Sequence, residues 1–225
     1  MITCVSDDSM LIRLGEVIEP SLTSRIATYC RAIEARFGDW LIDLVPSYTT
    51  ILVVYDPLRI DFRGARRQVS QLLADTTLSD TQETGAGAVH DIPVYYHPEC
   101  GPDLQTLADA KGLTIDEVVD YHTSATYQVY AIGFLPGFGF LGSVDEAIAA
   151  PRHRSPRDRV PAGSVGIANR QTAIYPKASP GGWQIIGRSP TPMFDVESLS
   201  LLQVGDRVRF HAVSRDEFRD LGGSL

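Results

Sequence analysis

Apolar residues recur at helical spacing at Leu22, Ile26, Tyr29, Ile33 and Phe37, which predicts an amphipathic helix with Ser21 as N-cap and Gly38 as its stop. Upstream, Met10 to Leu14 is a short apolar run that reads as a strand. Downstream, Trp40 to Val45 and Thr50 to Tyr55 read as two strands turned by Pro46, Ser47 and Tyr48, the second ended by Asp56 and Pro57. Asp61 then caps a helix with Phe62, Ala65, Val69, Leu72 and Leu73 on one face. With a last strand at Val89 to Tyr96, the order becomes βαββαβ, the ferredoxin-like arrangement.

The pattern breaks at Asp75 to Ala88, DTTLSDTQETGAGA, where Leu78 is the only large aliphatic residue. This stretch reads as a linker and divides the chain into a domain over 1–88 and another over 89–225. In the second, Asp103 to Lys111 and Thr114 to His122 predict short helices, the latter opened by a Thr114 and Glu117 capping box. Short β-rich runs follow at Tyr127 to Phe134, Ser164 to Ala168, Thr172 to Tyr175, Trp183 to Ile186 and Arg207 to His211. Separated by Gly and Pro, they predict a closed or nearly closed antiparallel barrel, so the fold class is α+β.

Composition narrows the function classes. The 225 residues are 44% hydrophobic and 21% charged, as in a globular protein with a sizeable core. A formal net charge of -8 argues against nucleic acid as a partner, which would demand basic surface. Cys4, Cys30 and Cys100 imply no disulfide framework, no signal segment opens the chain, and no run of apolar residues suits a membrane span. A cytoplasmic protein is expected. No GxxxxGK[ST] phosphate loop occurs, so any nucleotide is held by another device or on a partner. His90, His97 and Cys100 have no recognised ligand spacing, and no metal site is expected.

Candidate chemistry lies in one stretch. Between Ala131 and Pro192 fall 17 of the 33 Gly and Pro residues, threaded through GFLPGFGFLG, PRHRSPRDR, VPAGSVGIA, QTAIYP and SPGGWQIIG. Glycines allow close backbone approach, prolines fix loop shape, and arginines offer forked donors to carboxylate or phosphate. Arg152, Arg154, Arg157 and Arg159 are either a solvated face or an anion site; in extended chain, Arg157 and Arg159 point to the same side. Trp183 is either a core aromatic or a pocket wall. His122 follows Ile115, Val118 and Val119 on the apolar helix face, at a C-terminus whose dipole favours imidazolium. It is either a buried histidine satisfied by a backbone carbonyl or, if open to the Gly/Pro surface, a general acid or base.

The runs GFLPGFGFLG, APRHRSPRDRVPAGSVGIANRQTAIYP and SPGGWQIIGRSP, with HTSATYQVYAIGF and CGPDL upstream, closely resemble the 5-oxoprolinase B-subunit family. That family is also called allophanate hydrolase subunit 1 and includes the Kip-type inhibitor of a sporulation histidine kinase. The resemblance implies a ferredoxin-like domain followed by a cyclophilin-like β-barrel. It implies one component of an enzyme, inactive alone, that joins two partners: a LamB/YcsF-type protein and a protein of the allophanate hydrolase subunit 2 type. Together they would convert 5-oxo-L-proline to L-glutamate with ATP as co-substrate, accompanied by Mg and without a tightly bound cofactor. Carried onto this chain, the site shared with the allophanate hydrolase subunit 2 type partner comprises seven positions besides Trp183 and Pro136. These are His122 for proton transfer or orientation, Leu135 and Gly137 of the 135–137 turn, Arg157 and Arg159 for anionic groups, and Gln171 and Tyr175 for hydrogen bonding. Gly139 stands where the family pattern has Pro. The alternative implied role is regulatory: inhibition of a sensor histidine kinase's autophosphorylation.

Overall fold

A computed structural model describes residues 1–17, 20–76, 87–197 and 199–225. It divides the chain into two compact units, Met1–Gly87 and Ala88–Leu225. Most of the expected linker, residues 77–86, lies outside the described residues.

The first unit is built as β1 (Ile2–Ser6), β2 (Ser9–Arg13), α1 (Pro20–Phe37), β3 (Leu41–Pro46), β4 (Thr50–Tyr55) and α2 (Phe62–Asp75). Its antiparallel sheet has the order β1-β2-β4-β3. Strand β4 alternates, burying Ile51, Val53 and Tyr55 against the same core that takes Ile26, Ile33 and Phe37 of α1 and Val69 and Leu72 of α2. Both helices therefore cover one face of the sheet. Asp61 caps α2, its carboxylate accepting from the Gly64 N–H at 2.7 Å. Helix α1 starts at Pro20, where a missing N–H costs nothing, so Ser21 lies inside the helix instead of capping it.

The expected last strand of this unit belongs elsewhere. Strand β1, which the apolar pattern does not announce, already pairs with β2 through the tight turn at Asp7 and Asp8 and occupies that edge. A hairpin partner closes a far shorter loop than a strand beyond α2 and the linker would. Strand β5 (Val89–Val94) instead pairs in parallel with β15 (Arg207–Ala212) in the second unit, Val89 opposite Arg207 and Val94 opposite Ala212.

Between those strands the second unit runs α3 (Leu104–Lys111), α4 (Ile115–Thr123), β6 (Thr126–Ile132), β7 (Gly139–Gly142), β8 (Arg157–Val160), β9 (Ser164–Ala168), β10 (Gln171–Ile174), β11 (Ser179–Gly181), β12 (Gln184–Arg188), and the small hairpin β13 (Phe194–Asp195) and β14 (Leu199–Ser200); α5 (Arg215–Asp220) follows β15. Seven strands form one sheet in the order β12-β9-β10-β7-β6-β15-β5. Its two edges meet where Tyr95 and Arg188 exchange backbone hydrogen bonds of 2.8 and 3.0 Å, so the sheet is a nearly closed barrel. All its pairings are antiparallel except β15 with β5.

Two cores result. Val129, Leu141, Val165, Ile167 and Phe210 fill the barrel with Leu104, Leu107 and Val118 from α3 and α4. Strands β8 and β11 pair with each other, and Val160 of β8 joins Ala168, Ala173, Tyr175, Trp183 and Ile185 in the second core. Strand β9 is buried at every residue because it serves both cores. Helix α4 carries the expected capping box, Thr114 N–H donating to Glu117 and Glu117 N–H to Thr114.

Gly101 lets the CGPDL segment approach β12, since a Cβ there would overlap the backbone of Ile186. Gly101→Ala should lower the unfolding free energy by about 1–3 kcal/mol in urea titrations. Gly133→Ala, with open space around it, should stay within about 0.5 kcal/mol of the parent.

Candidate functional site

The Gly/Pro-rich stretch builds a cavity of about 220 Å³ in the second unit, against the second core. Its walls are aromatic: Phe134, Phe138, Phe140, Tyr175 and Trp183. Phe138 meets Tyr175 and Trp183 edge to face, with centroids 5.3 and 5.7 Å away. Phe134, 61% exposed, stands at the rim with φ of 70°, a conformation rare for a residue with a bulky side chain. The turn Leu135, Pro136 and Gly137 holds it there, with Leu135 N–H bonded to Gly133 O at 2.9 Å and Phe138 N–H to Leu135 O at 2.9 Å. Gly137 needs its freedom, because φ is 81° and a Cβ would press on Met193 O.

Pro156, Pro180, Gly181 and Gly182 also line it, and a Cβ at Gly181 would overlap the Tyr175 hydroxyl. Tyr175 is buried, and desolvation raises its pKa while the backbone of Trp183 and the cations Arg152 and Arg157 pull the other way. At neutral pH it is a protonated phenol.

Among the described residues lining this cavity, one is a cation. The Arg152 guanidinium lies 5.6 Å from the Trp183 ring centroid. Its neighbours are anchored: Pro151 O accepts from Gln184 Nε2 at 2.8 Å, and His153 N–H donates to Gly182 O at 2.7 Å. Among the described residues Arg152 forms no ion pair.

The arginines expected to bind anions face a second cavity, of about 280 Å³. Arg157 and Arg159 both line it, as alternation along β8 requires, together with Arg188 and Glu99. Arg157 is already engaged: its Nη2 donates to Asp103 Oδ1 at 2.6 Å. Asp103, its side chain 8% exposed, also accepts from the Ile185 N–H at 2.6 Å and returns a backbone bond to Ile185 O at 3.0 Å. His153 Nε2 lies 3.2 Å from the same carboxylate oxygen, out of line for a hydrogen bond. With its carboxylate committed to β12 and β8, Asp103 does not cap α3 through its side chain.

His122 lies in neither cavity. It is fully buried in the barrel, stacked on Phe210 with centroids 4.7 Å apart. The Thr172 hydroxyl donates to Gly166 O at 3.0 Å, so it accepts from His122 Nε2–H at 2.9 Å. That leaves Nδ1 to accept from the Tyr96 hydroxyl at 2.7 Å. Both ring nitrogens are thus satisfied by side chains, and burial pushes the imidazolium pKa down to about 3. The expectation that the helix dipole would favour a charged ring fails because desolvation outweighs it, and the geometry fits a structural pin, not an exposed acid or base. Gln171 begins β10, paired with Gly142 and Ala168, and lines neither cavity.

The expected set therefore separates: Tyr175 and Trp183 line the aromatic cavity, the 135–137 turn does not line it but joins its lining residues Phe134 and Phe138, Arg157 and Arg159 line the polar one, and His122 lies in the core. Sequence reasoning missed Asp103 and the specific place of Arg152. It also passes over the G-x-G-x-x-G spacing from Gly137 to Gly142. That motif holds pyrophosphate when it leads from a strand into a helix, but here Gly139–Gly142 is itself strand β7. Among the described residues no group of three His, Cys, Asp or Glu could hold a metal ion, and no helix is long and apolar enough to cross a membrane.

Residues 1–202 match the family described as carboxyltransferase domain, subdomain C and D. The chain is 38% identical over 226 residues to the 5-oxoprolinase B-subunit of Bacillus subtilis (strain 168), covering 95% of this chain and 93% of that protein. It is 42% identical over 161 residues to the 5-oxoprolinase B-subunit of Haemophilus influenzae (strain ATCC 51907 / DSM 11121 / KW20 / Rd), covering 71% and 74%. The crystal structure of TTHA0988 superimposes with a TM-score of 0.80 at 36% identity, covering 92% of this chain and 40% of that longer one.

Two outcomes follow from the buried polar groups. Between His122's ordinary value of 6.5 and about 3, the unfolded chain takes up a proton that the folded chain refuses. Stability should therefore fall as pH falls through that window, by up to about 1.4 kcal/mol per pH unit. Urea midpoints of His122→Gln should lose about one proton's worth of this acid dependence relative to the parent; parallel pH profiles would contradict a neutral buried ring. Asp103→Asn should cost about 1.5–3 kcal/mol in the same titration at neutral pH, because the charge-assisted bond to Arg157 is lost.

Proposed function

Because this chain belongs to the 5-oxoprolinase B-subunit family, within the carboxyltransferase subdomain C and D proteins, we propose that it is the corresponding component of an ATP-dependent 5-oxoprolinase complex. In this reading the complex hydrolyses 5-oxo-L-proline to L-glutamate, and the chain contributes one wall of a site shared with a partner of the allophanate hydrolase subunit 2 type. A LamB/YcsF-type protein completes the assembly. The observation that carries the reading is the match along nearly the full length of a protein named as a 5-oxoprolinase B-subunit.

The chemistry explains why ATP is needed. A lactam is held by amide resonance, so its carbonyl carbon is a poor electrophile. Transfer of the γ-phosphoryl group to the amide oxygen, with ADP leaving, removes that resonance; water then adds to the ring carbon and the C–N bond breaks. A second water releases phosphate and leaves glutamate. This chain's residues suit ring binding better than nucleotide binding. Pockets for drug-sized ligands span about 300–1,000 Å³, and an aromatic cavity of about 220 Å³ with one facing arginine is too small for a nucleoside triphosphate. No acidic cluster among the described residues fits Mg, so any Mg would be held by the nucleotide and residues of the partner proteins.

The rim also favours a shared site. Phe134 is exposed beside the cavity, and the neighbouring β13–β14 hairpin exposes Val196 and Leu199. Apolar side chains gathered in this way mark surfaces that bury against partners.

The assembled three-protein complex should release L-glutamate from 5-oxo-L-proline only when ATP is present, and the isolated chain should release none. A coupled glutamate assay on purified combinations reads this directly. An inert complete complex containing the well-folded chain would sink the proposal, and inhibition of a sensor kinase's autophosphorylation by that same chain would then favour the regulatory role.

A further inference from the structure

Resting on the lactam-hydrolysis reading, we propose that Arg152 is the residue that recognises the substrate carboxylate, and that the aromatic cavity admits a small ring bearing one negative charge.

Four observations converge on this assignment. The cavity takes a single ring with a small substituent, at about 220 Å³. Its walls are the faces and edges of Phe138, Tyr175 and Trp183, which suit a flat, largely apolar ring. Arg152 is the cation of that lining, held over Trp183 with its backbone neighbours tied to Gly182 and Gln184. Its fork has no carboxylate partner among the described residues, whereas Arg157 spends its own on Asp103.

Charge balance separates the two arginines. Arg157 beside Asp103 offers little net attraction to a further anion. Arg152 offers a full positive charge beside a low-dielectric aromatic wall, where a forked guanidinium can bind a carboxylate in a bidentate manner. A ring without the carboxylate would leave Arg152 unmatched, so discrimination is built into the pocket.

Two measurements test this. In the assembled complex, Arg152→Gln should raise KM for 5-oxo-L-proline about 10–100-fold, with KM for ATP unchanged, and Arg152→Lys should recover part of the loss. In the full chain alone, with Trp40→Phe removing the other indole, 5-oxo-L-proline should quench Trp183 fluorescence saturably. Arg152→Gln should abolish that quenching, and 2-pyrrolidone, the same ring without the carboxylate, should not reproduce it. An active complex whose KM is indifferent to Arg152→Gln overturns the assignment and leaves the hydrolase reading standing. An inactive complex overturns the hydrolase reading, while Arg152-dependent quenching by 5-oxo-L-proline would still support the pocket. Equal quenching by 2-pyrrolidone overturns carboxylate recognition.

Discussion

One buried carboxylate organises the part of the second unit around β8 and β12. Asp103 ties the start of α3 to β12 by reciprocal bonds with the Ile185 backbone, and ties both to β8 through Arg157. A charge with so little exposure is tolerable only when its oxygens are matched, and here a backbone N–H and a guanidinium match them. Gly101 makes the approach possible by carrying no side chain where the Ile186 backbone passes. The consequence reaches the aromatic cavity, because Trp183 lies two residues before Ile185 and Pro156 one before Arg157. A shift at Asp103 would be felt at two lining residues of the same pocket, Trp183 and Pro156.

The arrangement also sorts the polar groups by environment. His122 is neutral because its hydrogen bonds to Thr172 and Tyr96 satisfy the ring inside the barrel, where a charge would be desolvated without a counter-ion. Arg157 is charged but internally compensated. Arg152 is charged and uncompensated, and it stands at a cavity whose other walls are apolar. Of these three, Arg152 alone leaves attraction available to a ligand at the aromatic cavity, while Arg159 at the polar cavity likewise forms no ion pair among the described residues, so position and partner, more than residue type, distinguish these side chains.

Much of this was legible in the sequence, and the exceptions have physical causes. Helical spacing located α1 and α2, and apolar runs bounded by Gly and Pro located β6, β9, β10, β12 and β15. Strand β7 was hidden because GFGFLG looks like loop composition; its glycines are accommodated by close neighbours, Tyr130 against Gly142 and Leu202 against Gly139. Strand β5 has a clear pattern but the wrong expected partner, since pairing choice depends on which edge is already filled. The Gly/Pro-rich stretch was readable as close-approach backbone, and Gly137 and Gly181 do pack tightly against Met193 and Tyr175, while Tyr175 and Trp183 themselves are buried in the second core. What local pattern does not report is how His122 and Arg157 are engaged: Thr172, Tyr96 and Asp103 lie 50, 26 and 54 residues away.

The strained rim residue bears on why such a pocket belongs in an assembly. Phe134 holds a positive φ, which costs on the order of 1–3 kcal/mol for a non-glycine residue. It gains little burial in return, being mostly exposed. Within this chain alone the conformation is a net loss, sustained by the hydrogen-bonded turn that follows it. Its edge contacts with Phe138 and Tyr175 extend the aromatic wall outward, to a point where another surface could cover both the ring and a bound substrate. Covering it would exclude bulk water from the cavity and would strengthen the Arg152 attraction by lowering the local dielectric. The pocket is thus aromatic on its inner walls and cationic at Arg152, and its rim carries an exposed ring held at positive φ.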